Sequence, residues 1–246
     1  MEVSSTEVQN NFGQYMKFAY FEDIIVTRNG KRTVVIKRYE EDNEKDDRET
    51  TIAEKAQSNN FEDSKLSKIS YEEFLKLTEE SENRYEYIDG EVYLLASPSY
   101  DHQSIIMEIS NIMYNWFKGK ECKPLTAPFD VTLLKNDNKN VVQPDIIVIC
   151  DTENVNEKRR YMGIPSLVLE VLSETTKHKD MLKKLDLYIH SGISEYWIVN
   201  PFSKEVYIYY IENKSISEYE VYKGNERAKS IMFKGLDVSL GQIFTY

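Results

Sequence analysis

The chain is poor in the residue types that mark several common classes of protein. Its 246 residues include two cysteines, six prolines and nine glycines, which excludes a disulfide framework and a fibrous or low-complexity protein. Cys122 and Cys150 are too few for a tetrahedral zinc site, so we expect two structural thiols in a reducing compartment. No apolar run reaches the roughly 18–20 residues of a membrane-spanning helix, and no basic and then apolar leader begins at Met1. We therefore expect a soluble, cytoplasmic protein with no membrane partner.

Basic side chains are also in the minority. The chain has 31 Lys and Arg against 42 Asp and Glu, a net charge of -11. This acidity argues against a generic binder of polyanions. A DNA-binding protein of this composition needs its carboxylates around a metal ion and its cations in local clusters. The N-terminal region is the least acidic part of the chain, so a basic surface is expected there.

Residues 41–68 divide the chain. They mix acidic, basic and amide side chains with almost no apolar periodicity, which predicts a charged flexible linker because little surface can be buried. The linker separates an N-terminal module, residues 1–40, from a larger domain, residues 69–246. About 40 residues cannot supply a self-sufficient core. The N-terminal module therefore predicts a homodimer.

The N-terminal module has the pattern of one helix followed by a hairpin. Hydroxyl and acidic residues at 4–7 predict a helix start, and Asn29-Gly30 between two β-branched runs predicts a β-hairpin. The larger domain has helical patterns at 70–75, 99–117 and 176–190 and a hairpin signal at Asp89-Gly90. Its further strands are predicted at 129–134, 146–150, 167–172, 196–199, 206–211 and 217–222. This order predicts an α/β or α+β fold, a mixed sheet flanked by helices.

Two acids stand in or beside apolar strands. Asp145 precedes the run 146–149, and Glu170 interrupts the run 167–172. A carboxylate in a buried strand is unfavourable unless it is paired, protonated or bound to a metal. The structural alternatives are that Glu170 is an acid at a strand edge and that Asp145 lies in a turn. If the two strands are neighbours, their carboxylates meet at one end and suit Mg²⁺.

A lysine beside such a metal site stabilises the developing negative charge. Lys183 and Lys184, in the predicted helix 176–190, are both candidates. Lys184 lies four residues before Tyr188 and therefore shares a helix face with it. A solvated lysine pair on a surface helix is the alternative.

Residues 71–246 resemble the Uma-two family (DUF820-type) of restriction endonucleases, within the PD-(D/E)XK superfamily. The matching motifs are YEYIDGE (85–91), SPSYDHQ (97–103), APFDV (127–131), VQPDI (142–146), LEVLS (169–173), KLDLY (184–188) and GISEYWIVNP (192–201). The resemblance implies a PD-(D/E)XK restriction-endonuclease-like fold and hydrolysis of DNA phosphodiesters with Mg²⁺ or Mn²⁺.

The same resemblance implies roles for individual residues. Asp145 and Glu170 match the two motif acids and are the expected metal ligands. The superfamily usually places a lysine two residues after the second acid, where this chain has Leu172, so Lys184 is expected to replace it. The accessory catalytic residues that the resemblance suggests are Glu86, Glu91 and His102. For His102, helix capping or packing is the structural alternative.

The N-terminal module is similar to the Phd/YefM antitoxin fold, most specifically in IVTRNGK (25–31). That resemblance implies dimerisation and DNA binding, with Arg28, Lys31 and Arg32 as candidate phosphate contacts; solvated hairpin charges are the alternative. The sequence thus predicts an endonuclease fused to an antitoxin-like module. A non-catalytic DNA-binding or assembly protein and a self-restrained toxin–antitoxin fusion are the competing interpretations. The expected partners are DNA and a second copy, with a toxin or antitoxin as a further candidate.

Overall fold

The computed structural model of the chain describes residues 2–10, 15, 19, 23–28, 30–37, 65–66, 68–173 and 178–245. The chain divides into two compact units, residues 1–64 and 65–246. Most of the predicted linker, 41–68, lies outside the described residues. At its end, Lys65–Leu66 form a short strand of the second unit.

The first unit contains a three-stranded sheet. Its elements are β1 (Glu2–Ser4), α1 (Ser5–Asn10), β2 (Ile24–Arg28) and β3 (Lys31–Ile36). The order is β1-β2-β3, with β2 parallel to β1 and antiparallel to β3. The predicted hairpin and the predicted start of the helix are confirmed. The first strand was not predicted, because Val3 is the one buried side chain of its three residues.

The second unit contains most of the secondary structure. Its helices are α2 (Tyr71–Glu80), α3 (Tyr100–Phe117), α4 (His178–Ser191) and α5 (Leu240–Ile243). Its strands are β4 (Lys65–Leu66), β5 (Tyr85–Ile88), β6 (Glu91–Leu94), β7 (Lys123–Thr126), β8 (Val131–Lys135), β9 (Asn138–Val142), β10 (Ile146–Ile149), β11 (Leu167–Val171), β12 (Glu195–Asn200), β13 (Glu205–Glu212), β14 (Ser215–Lys223), β15 (Arg227–Lys229) and β16 (Asp237–Ser239). Within the described ranges, no helix has the length and apolar character to span a membrane.

The strands of this unit form two larger sheets and a short hairpin of β15 and β16. One sheet is antiparallel, in the order β4-β6-β5-β9-β8. The other has the order β14-β13-β12-β11-β10-β7, and it is mixed because β11 and β12 are parallel while its other pairs are antiparallel. Helix α4 connects the parallel pair, as such a crossover requires. The predicted mixed sheet with flanking helices is confirmed.

Side-chain capping determines where two of the helices begin. Ser70 and Glu73 form a reciprocal capping box at α2, with Ser70 N donating to Glu73 Oε2 at 2.8 Å. At α3 the Ser99 hydroxyl accepts from the His102 backbone N–H. Helix α3 then buries Ile105 and other apolar side chains against the mixed sheet.

Side-chain alternation along β11 determines where Glu170 points. Leu167, Leu169 and Val171 join the core beneath α3. Because successive side chains of a strand face opposite sides of the sheet, Glu170 faces the other side. There it contacts residues of α4. The buried charge is thus placed on the face that α4 covers.

The expectation of two free cysteines is wrong. Cys122 and Cys150 form a disulfide across a sequence separation of 28 residues. Strand β7, which follows Cys122, pairs antiparallel with β10, and Lys123 is the partner of Ile149. This register brings Cys122 opposite Cys150. The pairing was not foreseen because β7, with its sequence KPLT, was not predicted as a strand.

Candidate active site

Asp145 and Glu170 lie together at one end of the mixed sheet. Strands β10 and β11 are antiparallel, and Ile146 pairs with Leu169, which makes the two acids neighbours. The Asp145 Oδ2 atom accepts a hydrogen bond from the backbone N–H of residue 171 at 2.8 Å. His102 Nε2, from the first turn of α3, lies 3.3 Å from the same oxygen. The site therefore joins both predicted metal ligands with the predicted accessory histidine.

Lys184 connects Glu170 to a second sheet. Its Nζ donates to Glu170 Oε1 at 2.9 Å and lies 2.8 Å from Glu86 Oε1 on β5. Glu86 Oε1 also accepts from Gln143 N at 2.9 Å. The ammonium group thus lies between two buried carboxylates. Of the two candidate lysines, Lys184 is the one at Glu170.

Lys183 makes a separate pair one position earlier on α4. Its Nζ lies 2.5 Å from Glu91 Oε2 and from the Tyr93 hydroxyl. The Tyr93 hydroxyl also donates to Glu91. Glu91, on β6, therefore pairs with Lys183, whereas Glu86 pairs with the lysine that contacts Glu170.

Burial changes the acidity of Glu170. The residue is 9 % exposed, and desolvation raises its pKa to about 7, against the opposing attraction of Lys184. The charges of Asp145 and Glu86 raise the pKa further. The Tyr188 hydroxyl donates to Glu170 Oε1 at 2.7 Å and favours the ionised form. A bound cation would relieve the same repulsion among the carboxylates.

The cations of the site have shifted pKa values as well. Burial lowers the pKa of Lys184, but Glu170 and Glu86 outweigh it and raise the pKa above its ordinary value. Burial likewise lowers the pKa of His102, and the hydrogen bond and charge of Asp145 raise it above the ordinary value. Both side chains therefore favour the protonated form beside their carboxylates.

The two acids have the donor chemistry of a magnesium site. Their contacts with described residues use Oδ2 of Asp145 and Oε1 of Glu170, so one oxygen of each carboxylate is left for a cation. Mg²⁺ takes one or two protein carboxylates and completes its shell with waters and phosphate oxygens. No set of three or more His, Cys, Asp or Glu side chains suited to a metal occurs in the described part of the chain.

Three basic residues of the first unit lie near the turn of its hairpin. Arg28 ends β2, and its partner Lys31 begins β3 beside Arg32. All three are exposed. Arg32 pairs with Glu2 on β1. Arg28 and Lys31 lie at the hairpin end.

Two contacts at the site were not predicted. The hydrogen bond from Tyr188 to Glu170 was signalled only by the four-residue spacing from Lys184, which puts both side chains on one face of α4. The backbone hydrogen bond from Gln143 to Glu86 joins the segment before β10 to β5. Backbone N–H groups carry no sequence signal, so a contact of this kind appears only in the fold.

Comparisons with known proteins bear on the fold and the family of the second unit. A crystal structure described as that of a "putative nuclease belonging to DUF820", from Anabaena variabilis ATCC 29413, has a TM-score of 0.60 at 23 % identity and covers 72 % of this chain and 98 % of that chain. It shares the fold. Two uncharacterized proteins of Synechocystis sp., slr1290 and sll1609, are 29 % and 24 % identical and cover 58 % and 54 % of this chain and 74 % and 76 % of their own.

A family model covers most of the second unit. The model of the Uma2 family, described as "Putative restriction endonuclease", matches residues 71–241. These residues include every member of the acid, lysine and histidine cluster. The match extends over well more than half of the chain. The chain therefore belongs to the Uma2 family.

Proposed function

We propose that the second unit is a metal-dependent endonuclease that hydrolyses DNA phosphodiester bonds. The observation that carries the proposal is the buried cluster in which Asp145 and Glu170 adjoin and Lys184 contacts Glu170. In this proposal Asp145 and Glu170 hold Mg²⁺ or Mn²⁺. When bound, such an ion polarises the phosphoryl group and lowers the pKa of its water.

The remaining residues position these groups. Lys184 supplies a fixed positive charge for the negative charge that develops on the phosphate, because Glu86 and Glu170 hold its ammonium in place. Tyr188 orients the Glu170 carboxylate through its hydroxyl. His102 holds the motif aspartate by its Nε2 atom. Glu91 pairs with Lys183, the residue before Lys184 on α4, and this pair lies at the side of the site.

The proposal is tested by cleavage assays on plasmid and single-stranded DNA. We expect products with Mg²⁺ or Mn²⁺ and none with EDTA. Failure to cut either substrate, in folded protein that gains thermal stability from the metal, would contradict the nuclease assignment. That result would favour a binding or assembly protein that retains the fold, an interpretation consistent with Leu172 at the usual lysine position.

We propose that the first unit is an antitoxin-like module that dimerises and contacts DNA. Strand β3 is an edge strand, and Val34 and Val35 on it are 54 % and 51 % exposed. An exposed apolar edge strand readily pairs with another chain. Arg28 and Lys31 at the hairpin end are the proposed phosphate contacts, joined by Arg32.

The dimer is tested by changing β3 in the full chain. Val34→Lys together with Val35→Lys places charges on the apolar edge, and we expect a monomer by sedimentation velocity where the wild type is a dimer. Thr33→Lys adds a charge at a neighbouring exposed position and serves as the control. A dimer that persists in the double variant would place the interface elsewhere.

A further inference from the structure

The second unit has a groove at one edge of its mixed sheet. It lies between the exposed side of α3, from Met107 to Tyr114, and the edge strand β7, and its volume is about 400 Å³. Thr126, at one end of the groove, pairs with Ile146, the residue after Asp145. The Ala127 N–H donates to the Asp145 carbonyl at 3.0 Å. One end of the groove thus lies next to the backbone of Asp145, whose side chain belongs to the proposed active site.

The chemistry of the groove differs from that of the chain as a whole. In a protein of net charge -11, the described residues that line the groove include no acid and no cation. Its walls carry an aromatic ring, a thioether and the hydroxyl and amide groups of Ser110, Asn111 and Thr126. Tyr114 is 61 % exposed. Such a surface offers ring stacking and neutral hydrogen bonds.

The far end of the groove is locally basic. Lys118 follows Tyr114 by one helical turn, and Lys123 begins β7. Both lysines are exposed. The turn from 118 to 123 carries three lysines against the single acid Glu121, and the disulfide at Cys122 ties it to the end of β10. Lysine side chains therefore lie where a ligand that extends along the groove would leave it.

We propose that this groove binds a single strand of DNA that continues from the scissile phosphate. The inference rests on the proposed nuclease function and names its substrate class as unpaired DNA. In it, Tyr114 stacks on a base, and Lys118 and Lys123 contact phosphates at the far end. Base–aromatic stacking is independent of sequence and supplies affinity where cations are scarce.

Duplex DNA fits the groove less well. A duplex presents its phosphates to a protein and needs cations along the contact, whereas the described lining is neutral. An unpaired strand can turn its bases toward an aromatic wall. The helical rise from Met107 to Tyr114 amounts to about 10 Å. This length takes about three nucleotides at the roughly 3.4 Å spacing of a stacked strand.

Binding of a labelled oligonucleotide tests the inference. The full chain is titrated in EDTA, where cleavage is prevented, against fluorescein-labelled oligothymidylate of about twelve nucleotides, a length within the site sizes of single-strand binders, and against a duplex of equal length. We expect tighter binding of the single strand. Tyr114→Ala is expected to weaken it about tenfold, and Tyr114→Phe to retain it, because the ring is kept. Lys118→Gln and Lys123→Gln are each expected to reduce the salt dependence by about one phosphate contact.

Leu134→Ala is the matched control. Leu134 is an apolar residue on β8 of the other sheet and is 57 % exposed, so its loss should leave binding unchanged. Unchanged binding by Tyr114→Ala would overturn the inference. So would a change in sedimentation of the free Tyr114→Ala protein, since the groove would then join two copies of the chain.

The two proposals fail in different ways. If the groove variants weaken binding but the protein does not cleave DNA in Mg²⁺, the nuclease proposal fails and the strand-binding groove stands. If the groove variants cleave DNA with unchanged rate and KM, the nuclease proposal stands and the groove proposal fails. Binding in EDTA and cleavage in Mg²⁺ are therefore both measured on each variant.

Discussion

Asp145→Asn and Glu170→Gln should each lower metal-dependent DNA cleavage by about 10³-fold or more. Each change replaces an anionic oxygen with a neutral amide of nearly the same shape. The amide oxygen introduced by Asp145→Asn can still accept from Val171 N, as the carboxylate of Asp145 does. The loss should therefore come from the metal and not from the fold.

Two measurements separate these causes. The thermal stabilisation by Mg²⁺ or Mn²⁺ should disappear in both variants, while the melting temperature in EDTA stays near or above that of the wild type. Asp101→Asn is the control, since Asp101 is an exposed acid one residue before His102. If either variant cleaved DNA at the wild-type rate, the carboxylate that it lacks would not belong to the proposed site.

Lys184→Met should destabilise the metal-free protein by about 3–5 kcal/mol. The substitution keeps the length and apolar stem of the side chain but removes the ammonium between Glu86 and Glu170. Two buried carboxylates are then left without their compensating cation. Urea denaturation in EDTA measures the difference. Lys183→Met is the control and should lose only about 1 kcal/mol or less, because its pair with Glu91 is more exposed.

The size of this loss should depend on pH. The pKa of Glu170 is raised from 4.5 to about 7 in the folded chain, so between these values the folded state holds a proton that the unfolded state has released. Stability therefore falls as pH rises between these two values. Without Lys184 the pKa of Glu170 rises further, and the destabilisation should grow above pH 7 and shrink in acid. An equal loss at all pH values would show that packing, not charge, explains the effect.

The meeting of Asp145 and Glu170 was open to prediction from the sequence. Both acids interrupt or adjoin apolar runs of strand length, and the strands proved to be neighbours with nearly the expected bounds. Helix α3 and the hairpin at Asp89-Gly90 were equally visible, because their patterns are long or their turn chemistry is specific. Strong local signals thus determined the main frame of the site.

The parts that were missed depend on contacts between distant segments. Strand β9 has the sequence NKNVV, and only the buried Asn140 and its neighbours show that it lies in a sheet. Asn140 accepts from Asp89 N across a separation of 51 residues. The disulfide between Cys122 and Cys150 likewise joins residues that no local pattern relates. Tertiary pairing, which sequence periodicity does not encode, supplied these features.

Lys184 reaches Glu170 from a helix and not from the acid's own strand, and this makes the site sensitive to helix register. A shift of α4 by one residue along its axis is a rise of about 1.5 Å and a turn of about 100°, which would place a neighbouring residue opposite the carboxylate. That register is held by the buried side chains of Leu185, Tyr188 and Ile189. Substitutions beneath α4 should therefore alter catalysis without touching the substrate.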